Sequence, residues 1–170
     1  HPQSAKRDLN VHRVKVLYVH MSSNLIGVFD SGYGGLTILR QIRQLLPQYD
    51  YLYLGDNARA PYGSHSFDII YRYTLQAVEE LFHRGCRLVI LACNTASAKA
   101  LRTIQQCDLP RLGEERRVLG VIRPTVEAVG PLSHTRHIGL LGTQGTVNSQ
   151  SYDLELHKLY PDVTVTSLAC

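Results

Sequence analysis

Long hydrophobic runs are missing from this sequence, and so is the pattern of a signal peptide. No apolar stretch approaches the length that crosses a bilayer, which argues against an integral membrane protein. The apolar piece at 14–19 is short and carries a lysine, and no small-residue cleavage site follows it. We therefore expect a cytoplasmic protein with no membrane partner.

Clustered basic residues and metal-ligand spacings are also scarce. Three of the four net positive charges fall in residues 1–20, so the rest of the chain offers no dense basic face and no nucleic-acid partner is expected. The four cysteines form no C-x-x-C pair, and the eight histidines do not group with them at zinc-ligand spacing, so no metal site is expected. We expect reduced thiols, with Cys86 and Cys107 structural.

From Leu25 onward, short apolar runs alternate with amphipathic helical patterns. This alternation predicts right-handed βαβ units and a mostly parallel sheet, which is an α/β fold. In such sheets, ligands bind in loops beyond the carboxyl ends of the strands. The predicted strands lie at 25–29, 51–54, 88–91, 118–122, 138–141 and near Val163.

A pattern of isoleucine, glycine and two apolar residues at 26–29 recurs at 138–141, each time before a loop with a hydroxyl side chain. Chance explains one recurrence, because glycine-punctuated strands are common in α/β folds. A true repeat predicts two similar domains, the first at 24–112 and part of the second at 113–170. We expect residues 1–20 to be an N-terminal arm outside the fold, disordered or foreign to the native protein.

The first predicted strand leads into DSGYGG, residues 30–35. This is not the G-x-G-x-x-G fingerprint of dinucleotide binding, and its leading carboxylate would repel a phosphate. A zwitterion suits the loop better, with Asp30 facing an ammonium group while Ser31 and backbone N–H groups face a carboxylate. A tight turn capped by the aspartate or serine explains the same residues equally well.

The second predicted strand leads into DNARAPYG, residues 56–63. An ordinary exposed loop is the simpler interpretation of this segment. Its place at a strand end nevertheless makes Tyr62 and Gly63 candidate ligand-facing residues.

Cys93 lies in ILACNTAS, where the third predicted strand ends and a helix is predicted to begin. A free cysteine is most often a small buried hydrophobe. Here the unpaired N–H groups and positive dipole end of the helix favour a thiolate. Asn94 and Thr95 add donors suited to a carboxylate. The residues alone leave Cys93 balanced between a core residue and a reactive thiol.

Taken in this order, DSGYGG, DNARAPYG and ACNTAS resemble the glutamate racemase family of the cofactor-independent aspartate/glutamate racemase superfamily. The segment GTQGTVNSQSY at 142–152 resembles a loop of that family's second domain. The resemblance extends from about Leu25 to the end of the sequence. It implies two similar α/β domains with parallel sheets and an active site in the cleft between them.

The resemblance also implies that L- and D-glutamate are interconverted, supplying D-glutamate for peptidoglycan and hence for cell wall and cell shape. It implies that Cys93 is a catalytic cysteine and that Asp30 is a catalytic carboxylate able to exchange a proton with it. The implied substrate-binding residues are Asp30, Ser31, Tyr62, Gly63, Asn94, Thr95, Thr143 and Thr146.

No cofactor is implied, because a thiolate and a thiol on opposite faces of the substrate supply both base and acid. A pyridoxal enzyme would need a suitably placed lysine. Beyond residue 20 the sequence has only Lys99 and Lys158, neither in a strand-end loop, which agrees with cofactor independence. The implied partner is a small molecule, glutamate, and a homodimer is compatible with the sequence.

The sequence departs from the family at the second catalytic cysteine, which lies in a G-C-T-H-like motif that does not occur here. Cys170 is the only late cysteine, and it does not match the offset of the internal repeat. We therefore expect a chain truncated on its C-terminal side, without the opposing acid/base and inactive as a racemase by itself.

Two other interpretations stay open. Another member of the superfamily, such as an aspartate or hydantoin racemase, would use the same thiol, although Ser97 and the DSGYGG loop favour glutamate. A non-catalytic amino-acid-binding α/β module would keep the loops without using Cys93 as a base.

Overall fold

The computed structural model describes residues 15–17 and 24–170. Most of the predicted arm at 1–20 lies outside the described residues. Within that arm, Lys15–Leu17 form the first strand, β1, which pairs antiparallel with the strand at Asp50–Gly55. The expectation that the arm stays outside the fold is therefore wrong for these three residues.

The main sheet has five strands in the order β1-β3-β2-β4-β5. All neighbouring pairs among the last four strands of that order are parallel, and β1 is the antiparallel edge. Parallel strands joined through helices confirm the predicted α/β fold. The four parallel strands are β2 (Leu25–Asp30), β3 (Asp50–Gly55), β4 (Leu88–Leu91) and β5 (Arg117–Gly120).

Helices cover both faces of this sheet, which explains why its strands are continuous apolar runs. On one face, α1 (Gly35–Leu45) packs its apolar stripe against Val28 and Tyr53. On the other face, α2 (Phe67–His83) packs against a core that includes Phe29. The remaining helical segments before β5 are a 3₁₀ turn at Tyr62–Ser64, α3 (Asn94–Lys99), α4 (Leu101–Thr103), a π-helical segment at Ile104–Asp108 and α5 (Leu109–Leu112).

A second, two-stranded parallel sheet follows, with α6 and α8 packed on one face around a separate apolar cluster. Burial alternates along both strands, so the other face is open, with Leu141 71% and Leu168 62% exposed. The elements of this part are α6 (Ile122–Val129), β6 (His137–Gly142), α7 (Gln144–Asn148), α8 (Ser151–Leu159) and β7 (Thr164–Ala169).

The division between the two sheets falls after β5. This strand lies beyond residue 112, where the sequence placed the end of the first domain, yet it pairs with β4 in the first sheet. The assignment of domains to 24–112 and 113–170 stays a prediction. Within the described part of the chain, no helix has the length and apolar character needed to span a membrane.

Candidate active site

Three loops meet at the carboxyl edge of the main sheet because the strands before them run parallel. The backbone itself ties their starting points together. The amide of Asp56, just after β3, donates to the carbonyl of Asp30 at 2.9 Å, and the amide of Ala92, just after β4, donates to the carbonyl of Phe29 at 2.7 Å. The loops predicted to form a site therefore do share one edge of the molecule.

Cys93 is the N-cap residue of α3 and is only 6% exposed. Its Sγ accepts the backbone N–H of Ala96 at 3.4 Å, and the Oγ of Ser31 lies 3.2 Å from the same sulfur. The thiol therefore lies at a helix N-terminus, with one backbone N–H and one hydroxyl in contact with its sulfur. Cys93 is thus both buried and placed at the start of a helix.

Asp30 is also buried, and its carboxylate caps the start of α1. Its Oδ2 accepts the N–H of Gly35 at 2.9 Å and the hydroxyl of Tyr53 at 3.3 Å. Burial, and then the negative charge of Asp30, raise the pKa of Tyr53, so that hydroxyl keeps its proton. The capped turn that the sequence allowed is present, and it holds the buried carboxylate at the same edge of the sheet as Cys93.

The side chain of Tyr62 lies in the core rather than toward open space. The residue is 1% exposed, and its hydroxyl donates to Oδ2 of Asp56 at 2.5 Å. Asp56 also accepts from Nε of Arg59 at 2.5 Å. Burial, followed by this hydrogen bond, raises the pKa of Tyr62. The side chain of Tyr62 is therefore held in the core by Asp56.

Gly63 marks a close approach between the DNARAPYG loop and the start of α7. A Cβ at this position would lie 2.8 Å from Cβ and 2.9 Å from Cγ2 of Thr143, which is too close for any side chain. Thr143 is itself the N-cap of α7 and accepts the N–H of Thr146 at 3.2 Å. Glycine is therefore required here for the two loops to pack together.

Three threonine hydroxyls, one from α3 and two from the start of α7, meet beside this contact. The Oγ1 of Thr95 lies 3.0 Å from that of Thr143 and 3.5 Å from that of Thr146, and the last two are 3.1 Å apart. We call these residues the threonine cluster. The structure brings together predicted site residues from α3 and from the GTQGTVNSQSY segment, which are far apart in sequence.

Asn94 follows Cys93 with an exposed side chain, and its Oδ1 accepts the hydroxyl of Tyr152 at 2.6 Å. Tyr152 was not among the predicted site residues, because nothing in its local sequence distinguishes it from a core tyrosine. Ser97, which the sequence took to favour glutamate, is buried, and its hydroxyl is bonded to the backbone. Its hydroxyl donates to the carbonyl of Leu91 at 3.0 Å and accepts the N–H of Val121 at 3.3 Å.

The other cysteines have different surroundings. Cys86 is buried, and burial raises the pKa of its thiol to about 11, so it stays protonated at neutral pH. Cys107 is exposed in the π-helical segment, so it is not part of the buried core, and the structural role expected for it stays a prediction. Cys170 is exposed after β7, where its amide donates to the carbonyl of Gly142 at 3.0 Å.

These features define a class of protein: an α/β protein with a helix-capping thiol, a buried carboxylate and hydroxyl groups gathered at the strand ends. No family model matches the chain. Glutamate racemase of Geobacter metallireducens is 42% identical to it over 146 residues, which cover 85% of this chain and 52% of the relative.

Solved structures give the same result. Glutamate racemase isoform RacE1 from Bacillus anthracis matches with a TM-score of 0.79 and 37% identity, covering 86% of this chain and 53% of that one. Glutamate racemase from Francisella tularensis, in complex with D-glutamate, matches with a TM-score of 0.75, 37% identity and the same coverage. This chain is similar to glutamate racemases over about 85% of its own length, and it spans about half the length of the curated relatives it matches.

Proposed function

We propose that this chain contributes one half of the catalytic machinery of a glutamate racemase, with Cys93 transferring the α-proton of glutamate. The observation that carries the proposal is the setting of the Cys93 sulfur, at the start of α3 and 3.2 Å from the Ser31 hydroxyl. The relative from Francisella tularensis was solved with D-glutamate bound, which supports the choice of substrate.

The chemistry follows from the symmetry of the reaction. A thiolate at Cys93 removes the α-proton from one enantiomer and becomes a thiol, leaving a planar carbanion that the substrate carboxylate helps to delocalise. A second acid then adds a proton from the opposite face, and the other enantiomer forms. In the reverse direction the thiol of Cys93 returns its proton. No cofactor takes part in this scheme.

The surrounding residues would hold the substrate for this transfer. The exposed carboxamide of Asn94 and the hydroxyl of Thr95 provide donors for a carboxylate. The threonine cluster lies between α3 and the start of α7, so Thr143 and Thr146 are near a ligand bound beside Cys93 and Thr95. Ser31 and the backbone at Tyr62 and Gly63 complete the proposed substrate contacts.

Asp30 is proposed as the carboxylate that assists the thiol. It lies at the end of the strand beside β4 and is held in place by its bonds to Gly35 and Tyr53. A buried carboxylate next to the substrate would also face its ammonium group. We further propose that the product, D-glutamate, supplies peptidoglycan synthesis in the cytoplasm.

Replacement of Cys93 by alanine tests the proposal. In deuterium oxide, the chain should catalyse exchange of the α-proton of glutamate, and Cys93→Ala should reduce this rate at least about 100-fold. Cys107→Ala removes an exposed thiol outside the site and should leave the rate unchanged. The readout is the loss of the α-proton signal in the NMR spectrum of each enantiomer.

The same assay separates the alternatives. An unchanged rate in Cys93→Ala would refute the role of the thiol. Glutamate binding without any exchange by the wild-type chain would favour an amino-acid-binding module. Faster exchange with aspartate or a hydantoin than with glutamate would point to another member of the superfamily.

A further inference from the structure

The carboxamide of Asn94 stands at the edge of the candidate active site, one residue after Cys93, and it can face a ligand in two ways. Its oxygen accepts hydrogen bonds and its nitrogen donates them. The Tyr152 hydroxyl, from the first turn of α8, donates to Oδ1 at 2.6 Å. Because a carboxamide is planar, holding its oxygen also fixes the direction of its nitrogen.

We propose that Tyr152 is a positioning residue, which turns the Asn94 carboxamide so that its N–H groups face the space beside Cys93 and bind a carboxylate. Tyr152 acts through Asn94 and does not touch the ligand. The identity of the ligand, an amino acid, rests on the proposed function. The orientation of Asn94 is a property of the chain alone and can be measured without a ligand.

The surroundings of Tyr152 keep it in this position. The residue is 8% exposed, and its ring belongs to the apolar cluster that includes Val126 and Leu156. The neighbouring Ser151 donates its hydroxyl to the carbonyl of Ala98 at 3.1 Å. The start of α8 is therefore bound to α3 at two points. In this way α8, which packs on the second sheet, sets the direction of the Asn94 side chain beside Cys93.

Tyr152→Phe removes the hydroxyl and keeps the ring in its cluster. Because one neutral hydrogen bond that orients Asn94 is lost, the affinity of the chain for glutamate should fall about three- to tenfold. Tyr160→Phe is the matched control, since that hydroxyl donates to the carbonyl of Glu127 on the surface at 3.3 Å. The affinity of Tyr160→Phe for glutamate, measured by titration calorimetry, should stay within about twofold of wild type. An unchanged affinity in Tyr152→Phe would overturn the proposal.

Repeating the substitution in an Asn94→Ala variant distinguishes the positioning of Asn94 by Tyr152 from a general effect on the fold. In Asn94→Ala the group that Tyr152 orients is gone, so adding Tyr152→Phe should cause no further loss of affinity. An equal loss in both backgrounds would show that Tyr152 acts independently of Asn94, and the proposal would fall.

The side-chain amide protons of Asn94 give a readout that needs no ligand. With Oδ1 held by Tyr152, both Nδ2 protons are free and should exchange with water as fast as those of an exposed primary amide. One protected Nδ2 proton in the wild type, made labile by Tyr152→Phe, would mean the reverse orientation and overturn the proposal. If the wild type bound no glutamate, the proposed function would fail, and these protons would still decide the orientation.

Discussion

Gly63 shows how a single residue can join two parts of this molecule. An added Cβ would come within 2.8 Å of Thr143, so Gly63→Ala must push the DNARAPYG loop away from the start of α7. We expect this overpacking to lower the free energy of unfolding by about 1–3 kcal/mol. Glutamate affinity should fall as well, because the threonine cluster lies on the displaced side. Urea denaturation and titration calorimetry measure the two effects.

Gly139→Ala is the matched control for this substitution. Gly139 lies in β6, and a Cβ there would meet no atom within 4 Å. Stability and affinity should both stay at wild-type values. If the two alanine variants lost equal stability, close contact with Thr143 would not be the cause.

The buried thiol of Cys86 makes the free energy of unfolding decrease as the pH becomes alkaline. Burial raises the pKa of its thiol from 9.0 to about 11, so between these values the folded chain keeps a proton that the unfolded chain loses. The stabilisation is complete below pH 9 and is lost as the pH rises toward 11. From pH 8 to 11, wild type should lose about 1–3 kcal/mol more unfolding free energy than Cys86→Ala. Equal losses in the two proteins, measured by denaturation at each pH, would contradict this.

At the scale of elements, the start of α2 offers a test confined to one helix. Ser66 is its N-cap, and its hydroxyl accepts the N–H of Ile69 at 3.5 Å. Ser66→Ala should lower the free energy of unfolding by about 0.5–2 kcal/mol, because an N–H in the first turn loses its partner. Thermal unfolding followed by circular dichroism measures the loss, and glutamate affinity should not change.

Ser64→Ala serves as the comparison, since that exposed hydroxyl donates only to the carbonyl of Pro61 at 3.5 Å in the preceding turn. It should cost less than about 0.5 kcal/mol. A larger cost for Ser64→Ala than for Ser66→Ala would mean that the cap does not stabilise α2.

The elements themselves were largely predictable from the sequence, whereas their contacts were not. Apolar runs such as 88–91 predicted strands because both faces of the sheet are covered. The shared edge of the three loops followed from parallel strands. The orientation of Tyr62 did not follow, because no alternation exists in its loop. The bond between Tyr152 and Asn94 joins residues 58 positions apart, and no local pattern encodes it.

At the scale of the whole molecule, the two sheets repeat one arrangement. In the first, β2 leads through α1 to a parallel neighbour, β3, and in the second, β6 leads through α7 and α8 to β7. Among the residues that the structure describes, Cys86 is buried beside Gly27, near the start of β2 and away from the loops at the other end of the strands.

The proposed role of Cys93 predicts how the chain would act on glutamate. One thiol can remove and return a proton on one face only, so deuterium should enter glutamate with retention of configuration. Inversion needs an acid on the opposite face. Chiral chromatography of the products should show deuterated glutamate of the starting configuration. Racemisation by this chain would contradict the assignment of Cys93 as half of a pair.

The buried tyrosines give the molecule an optical property as well. The sequence has ten tyrosines and no tryptophan, so near-ultraviolet absorbance reports on phenols without interference. Burial raises the pKa of several, Tyr53 and Tyr62 most of all, and these hydroxyls hold their protons against Asp30 and Asp56. In an alkaline titration, the phenolate absorbance of the folded chain should therefore stay below the value for ten ionised tyrosines. The rest of the absorbance should appear only when the loops around the thiol unfold. Incomplete ionisation of Tyr53 and Tyr62 at alkaline pH thus reports that the loops around the thiol are intact.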